Sequence, residues 1–186
     1  MHGIFDTEAV RLSLDPRRVI SKKEQWSRFW DSHIWEYLIV EAKRVGEEHA
    51  ASWRDFKVGC AVYAWDSKRH HKGDFAGRWK IFRGCNMKPV QGGHNVCAEQ
   101  VAIGAARSEG YEWILGMALV GIPQEDGCTG IKGKTLHPCG DCRSFFASLP
   151  EITPDTVIIT ATPDEAEVET QTVKELLKFY ALPKKT

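Results

Sequence analysis

The stretch from His94 to Ala106, HNVCAEQVAIGAA, restricts this chain more than any other. From Val101 onward it is small and apolar, as a helix packed on a sheet is. Its first turn nevertheless carries a thiol and a carboxylate. A buried carboxylate is costly unless it has a partner or a task. A second cysteine-bearing segment, Pro138-Cys139-Gly140-Asp141-Cys142, supplies one. A Cys-x-x-Cys pair at a helix start can aim two sulfurs at one ion, and Cys97 at another helix start adds a third. A chain that does this must fold so that two helix N-termini, distant in sequence, meet at one point.

Three protein ligands leave one tetrahedral position open, and open sites are the catalytic kind. Zn2+ is the cofactor expected for Cys97, Cys139 and Cys142, and it lowers the pKa of bound water to about 7. Glu99 is too near Cys97 to be idle and need not touch the metal. It is expected to move the proton of that water, as a catalytic base and then acid. Three thiolates on a divalent ion leave a net negative charge. The partial positive charge of the helix N-termini, with Arg143 beside a ligand, offsets it and keeps the thiols deprotonated. The competing readings are a redox dithiol and a structural zinc site. The latter would make the chain a zinc-binding interaction module, and it needs a fourth ligand from His94, His137 or Cys128. Otherwise these histidines are loop residues or supports of the ligands, and Cys60, Cys85 and Cys128 are ordinary core or loop cysteines.

The chain of 186 residues is 42% hydrophobic, enough for one domain with a core. Lys+Arg and Asp+Glu are both 25, so the net charge is zero. That balance disfavours a polynucleotide partner and favours a small molecule. The basic run Lys68-Arg69-His70-His71-Lys72 is expected to be a solvated turn. No apolar run reaches the roughly 20 residues of a membrane helix, and the N-terminus lacks the apolar centre of a signal peptide. A cytoplasmic location is expected, where cysteines stay reduced.

Trp26, Phe29, Trp30, Ile34, Tyr37, Leu38 and Ala42 recur at three- and four-residue steps and predict a helix over 22–50. Strands are predicted over 58–65 and 79–85 as a hairpin around the turn at Gly73 and Gly77, and over 117–122 and 156–161. Helices are predicted over 97–109, 139–149 and 172–181, and a loop over 124–137. Strands alternating with helices after an opening hairpin predict a mixed sheet with helices on both faces. Residues 1–32 are expected to form an N-terminal extension, and 33–182 the domain.

At these residues the chain resembles the zinc-dependent cytidine deaminase family of the three-cysteine type. The likeness extends to Phe56-Lys57-Val58-Gly59, to Phe82-Arg83-Gly84-Cys85-Asn86, to Ser108-Glu109-Gly110-Tyr111 and to the helix at Thr172-Val173-Lys174-Glu175-Leu176-Leu177. It implies an α/β fold, a three-layer α/β/α sandwich whose mixed sheet has about five strands. It implies a hydrolase that attacks C4 of a cytidine-like nucleoside, releases ammonia, and works as a homo-oligomer, a tetramer or dimer. By this resemblance Cys97, Cys139 and Cys142 hold zinc, and Glu99 shuttles protons to N3 and the leaving amine. The Ala98 N–H donates to the ring carbonyl, Phe56 packs on the base, and Asn86 bonds a ribose hydroxyl. Two positions depart from the family pattern. Gln100 stands where an arginine is common. Lys88 stands where a glutamate usually accepts from the sugar, so an altered sugar preference is expected. The segment CAEQVAIGAARSEG is similar also to deaminases of the aminoacyl nucleoside antibiotic blasticidin S, the alternative substrate class.

Overall fold

Strand β2 (Val58–Trp65) sorts its side chains by parity. Val58, Cys60, Val62 and Ala64 enter one apolar cluster, and Ala61 and Tyr63 the other. The same division runs along β5 (Trp113–Gly121), where Met117 and Leu119 oppose Ala118 and Val120, and along β6 (Ile152–Ala161), where Ile158 opposes Val157 and Ile159. Strands buried on both faces need helices on both. A computed structural model describes residues 33–66, 79–91, 93–123 and 134–178 of the chain. Among the described residues no helix is long and apolar enough to cross a membrane.

Helix α1 (Ile34–His49) covers one face, with Leu38, Ile39 and Ala42 in its cluster. The other face carries α2 (Ala98–Ser108), α3 (Gly140–Ser148) and α4 (Val173–Leu177), through Ala98, Ala102, Ile103, Cys142, Phe146, Val173 and Leu176. With β3 (Trp79–Cys85) and β7 (Val168–Thr172), the sheet order is β3-β2-β5-β6-β7. The β5–β6 pair is parallel and the other pairs are antiparallel. This is the expected three-layer sandwich with a mixed five-stranded sheet. Two short strands, β1 (Ala51–Ser52) and β4 (Met87–Lys88), pair parallel beside it.

The predicted elements are present with shifted ends. The first helix begins at Ile34, after His33 in a left-handed conformation (φ 52°). Its expected earlier part, with Trp26, Phe29 and Trp30, lies outside the described residues. So do the Lys68–Lys72 turn, Cys128, the loop over 124–133 and the end of the last helix. β5 starts at Trp113 and β6 at Ile152, each four residues earlier than expected. The strand β7 was not anticipated.

Two glycine contacts set how closely the layers approach. A Cβ on Gly59 would lie 1.8 Å from the Ala42 carbonyl oxygen, so only glycine lets β2 touch α1 there. A Cβ on Gly84 would lie 2.4 Å from the Ala98 oxygen and 2.5 Å from the Ala102 nitrogen. The first turn of α2 therefore rests directly on the backbone of β3. Across the sheet edge, the buried Glu41 of α1 is bonded by Arg83 of β3, and Arg44 adds a contact at 2.9 Å.

Candidate active site

Both cysteine-bearing helices follow strands that run in the same direction. β3 and β5 are each antiparallel to β2, hence parallel to each other. A helix returning from such a strand starts at the strand's carboxyl end, where sites in α/β sheets lie. The N-termini of α2 and α3 thus come to the same end of the sheet, with Cys97 and Cys139 as their N-caps.

The sulfur atoms of Cys97, Cys139 and Cys142 all lie within 4.8 Å of one another, and Cys97 Sγ to Cys139 Sγ is 3.8 Å. A tetrahedral ion with metal–sulfur bonds of about 2.3 Å spaces its sulfurs by about 3.8 Å. The protonation pattern points the same way. Hydrogen bonds from Cys142 and Cys97 hold the Cys139 thiol down at about 2. The reciprocal contact with Cys139 pushes Cys97 up to about 12 and Cys142 higher still. Three sulfurs this close oppose one another's ionisation, and a divalent cation is what would allow all three to ionise. The donor set fits zinc. Among the described residues no fourth metal-ligating side chain joins this cluster.

Local structure supports each ligand. Gln100 Oε1 accepts from the Cys97 N–H at 3.3 Å, closing a capping box at the start of α2. Arg143, buried, donates from Nε to the Pro138 carbonyl at 3.0 Å, on the backbone just before Cys139.

Glu99 lies in the first turn of α2, only 4% exposed, and lines a pocket together with Cys97, Cys139, Ala98, Phe56, Asn86 and Lys88. Burial pushes its carboxyl up to about 7, the Cys139 charge adds to this, and the Lys88 charge opposes it. A carboxyl poised there exchanges protons readily near neutrality. Ala98 opens α2, so its N–H has no intrahelical acceptor.

Asn86 is buried and spans the chain between Phe56 and Val58. Its Oδ1 accepts from the Val58 N–H at 2.8 Å and its Nδ2 donates to the Phe56 carbonyl at 2.8 Å. It holds the Phe56 backbone at the pocket and has one further amide hydrogen. Lys88 Nζ lies 5.6 Å from the Phe56 ring centroid. His94 is exposed and outside the pocket lining, whereas His137 is buried and lines it. The supports of His137, Glu169 and Gln171 on β7, carried no signal in the sequence.

A family model described as "Cytidine and deoxycytidylate deaminase zinc-binding region" matches residues 33–160. A Dictyostelium discoideum protein described as "Probable cytidine deaminase" is 30% identical over 102 residues, which are 55% of this chain and 61% of that one. The cytidine deaminase of Sporosarcina psychrophila is 27% identical over 142 residues, 76% of this chain and 87% of that one. The crystal structure of cytidine deaminase from Burkholderia pseudomallei superposes with a TM-score of 0.58 at 26% identity, covering 77% of this chain and 96% of that chain.

Proposed function

Because the chain belongs to the cytidine and deoxycytidylate deaminase family, we propose that it is a hydrolase converting a 4-aminopyrimidine nucleoside to its 4-oxo product with release of ammonia. The observation that carries this reading is Glu99, buried in the same pocket as the three convergent thiols. A structural zinc site has no use for that carboxyl.

When bound by Cys97, Cys139 and Cys142, zinc supplies Lewis acidity that makes water a nucleophile near neutral pH. Glu99 takes a proton from the attacking water and delivers one to ring N3. It then takes the proton of the new C4 hydroxyl and passes it to the amine at C4, which leaves as ammonia as the C4 carbonyl forms. The Ala98 N–H donates to the ring carbonyl and orients the base. Phe56 packs on the pyrimidine, and the second Nδ2 hydrogen of Asn86 donates to the sugar. Removing the shuttle while keeping the pocket is the direct test. Glu99→Gln is expected to retain zinc and to lose ammonia release by about 10²–10⁴. Full activity in that variant would exclude this mechanism.

The sugar site is altered by Lys88, a pocket-lining ammonium that only donates. It favours nucleosides whose sugar bears an acidic or modified group over plain cytidine. The same cation supports the second reading, deamination of an aminoacyl nucleoside antibiotic such as blasticidin S. Ammonia release across cytidine, deoxycytidine, their phosphates, cytosine and blasticidin S separates these. Efficient, unselective use of plain cytidine overturns the altered preference. The catalytic unit of this reading is residues 33–182, in a cytoplasmic homo-oligomer.

A further inference from the structure

His137 is a buried, titratable residue with no part in the chemistry above. It stands two positions before Cys139 and lines the pocket with Phe56, Asn86 and Glu99. Its supports come from β7, a strand distant in sequence. Gln171 Nε2 lies 2.7 Å from His137 Nδ1. An amide nitrogen only donates, so Nδ1 accepts and the ring proton belongs on Nε2. That Nε2 faces Glu169 Oε2 at 3.3 Å.

Glu169 and Gln171 are two residues apart on a strand and so share one face. In register, Glu169 is opposite Thr160 and Gln171 opposite Ile158. The Glu169 carboxylate also accepts from the Thr135 N–H at 3.0 Å and from the Thr135 hydroxyl, which meets the Thr160 hydroxyl at 2.6 Å. Residues 135–137 are therefore stitched to the sheet edge at two points. Nδ1 is engaged by β7, whereas the buried Nε2 makes no hydrogen bond among the described residues and sits beside the Glu169 carboxylate, so the ring is held at Nδ1 by a bond and at Nε2 by charge.

We propose that His137 is a substrate-contacting wall of the pocket, and that Gln171 and Glu169 are positioning residues that fix its tautomer and place. The wall's role rests on the deaminase reading; the clamp does not. A fixed ring offers the base a preformed surface, whereas an untethered one must be ordered on binding.

Gln171→Ala removes the partner of Nδ1 without touching the pocket lining. Two readouts on the zinc-loaded full chain test it. Long-range 1H–15N spectra are expected to show one Nε2–H tautomer for His137 in the wild type and a mixture in Gln171→Ala. A mixture in the wild type, or no change in the variant, overturns the clamp. Binding of cytidine and cytidine 5′-monophosphate is measured in a Glu99→Gln background, where substrate persists. There His137→Ala and Gln171→Ala are each expected to weaken binding about fivefold or more, and the double variant no more than His137→Ala alone. His137→Phe keeps the ring and is expected to retain most of the affinity. Zinc content is expected to match the Glu99→Gln parent, with the melting temperature lower by a few degrees. Unchanged binding, additive losses, or zinc lost in step with affinity would overturn the wall. A parent that binds neither nucleoside nor nucleotide would sink the cytidine-type reading and the wall with it, while the tautomer spectra still decide the clamp.

Discussion

Lys88 and Asn86 are two residues apart, at the pocket, and do different work. Asn86 is spent mainly on the chain itself, with hydrogen bonds to Phe56 and Val58. Lys88 is the residue whose chemistry reaches outward, as a cation beside Phe56. Replacing it by glutamate turns a donor into an acceptor at one point of the pocket. Lys88→Glu is expected to raise kcat/KM for plain cytidine and lower it for the 5′-phosphate, with the ratio moving about tenfold or more. Steady-state ammonia release on both substrates measures that ratio, and an unmoved ratio removes Lys88 from sugar recognition. Asn86→Ala acts differently. It leaves the buried Val58 N–H and the part-buried Phe56 carbonyl without their partners and is expected to lower the thermal midpoint as well as activity, at about 1–3 kcal/mol for the buried group.

Between elements, the contact of α1 with the sheet is held by an absent side chain and by a buried charge. Gly59→Ala places a methyl against the Ala42 carbonyl. The backbone must move apart, at a cost of about 1–3 kcal/mol or more, read as a fall in urea midpoint. Glu41 is the second attachment. Burial alone would raise its carboxyl, but Arg83, Tyr37 and Arg44 outweigh this and hold it below the ordinary value of 4.5. A depressed folded-state pKa means the stabilisation is complete above that value and is lost as pH falls through the folded one. Glu41→Gln is expected to cost about 1–2 kcal/mol at pH 7, since Arg83 is partly solvated. Denaturant titrations of both proteins should converge as the pH drops below 4.5.

The elements carried by apolar rhythm were legible in the sequence. Val58 to Trp65 and Met117 to Gly121 alternate or run apolar because both faces of those strands are covered. Val168-Glu169-Thr170-Gln171-Thr172 was not legible, because β7 is an edge strand whose one set of side chains binds a loop through polar groups. Its strand conformation comes from pairing with β6, and periodicity does not report pairing. The start of β6 was hidden by Pro154 and Asp155. The cysteines and Glu99 stood out because chemistry restricts which residue types serve. His137 did not, because its place depends on a strand that the sequence did not announce.

At the scale of the whole molecule, the site joins the first turns of two helices that reach it by separate crossovers. Zinc held by the three cysteines would cross-link α2 and α3, and without it the crowded sulfurs keep protons. Dialysis against a chelator is expected to lower the melting temperature by several degrees, restored by stoichiometric zinc, since a ligand that binds only the folded state stabilises it. A midpoint indifferent to the metal would mean that the three thiols hold nothing. The seat of α2 on Gly84 has a consequence for anyone wishing to change what this pocket accepts. Backbone already meets backbone behind Ala98, one of the residues that line the pocket, so there is no slack to remove and no side chain to trim there. Room for a larger heterocycle has to be carved from lining side chains, at Phe56, Lys88 or His137, while the seat of α2 stays as it is.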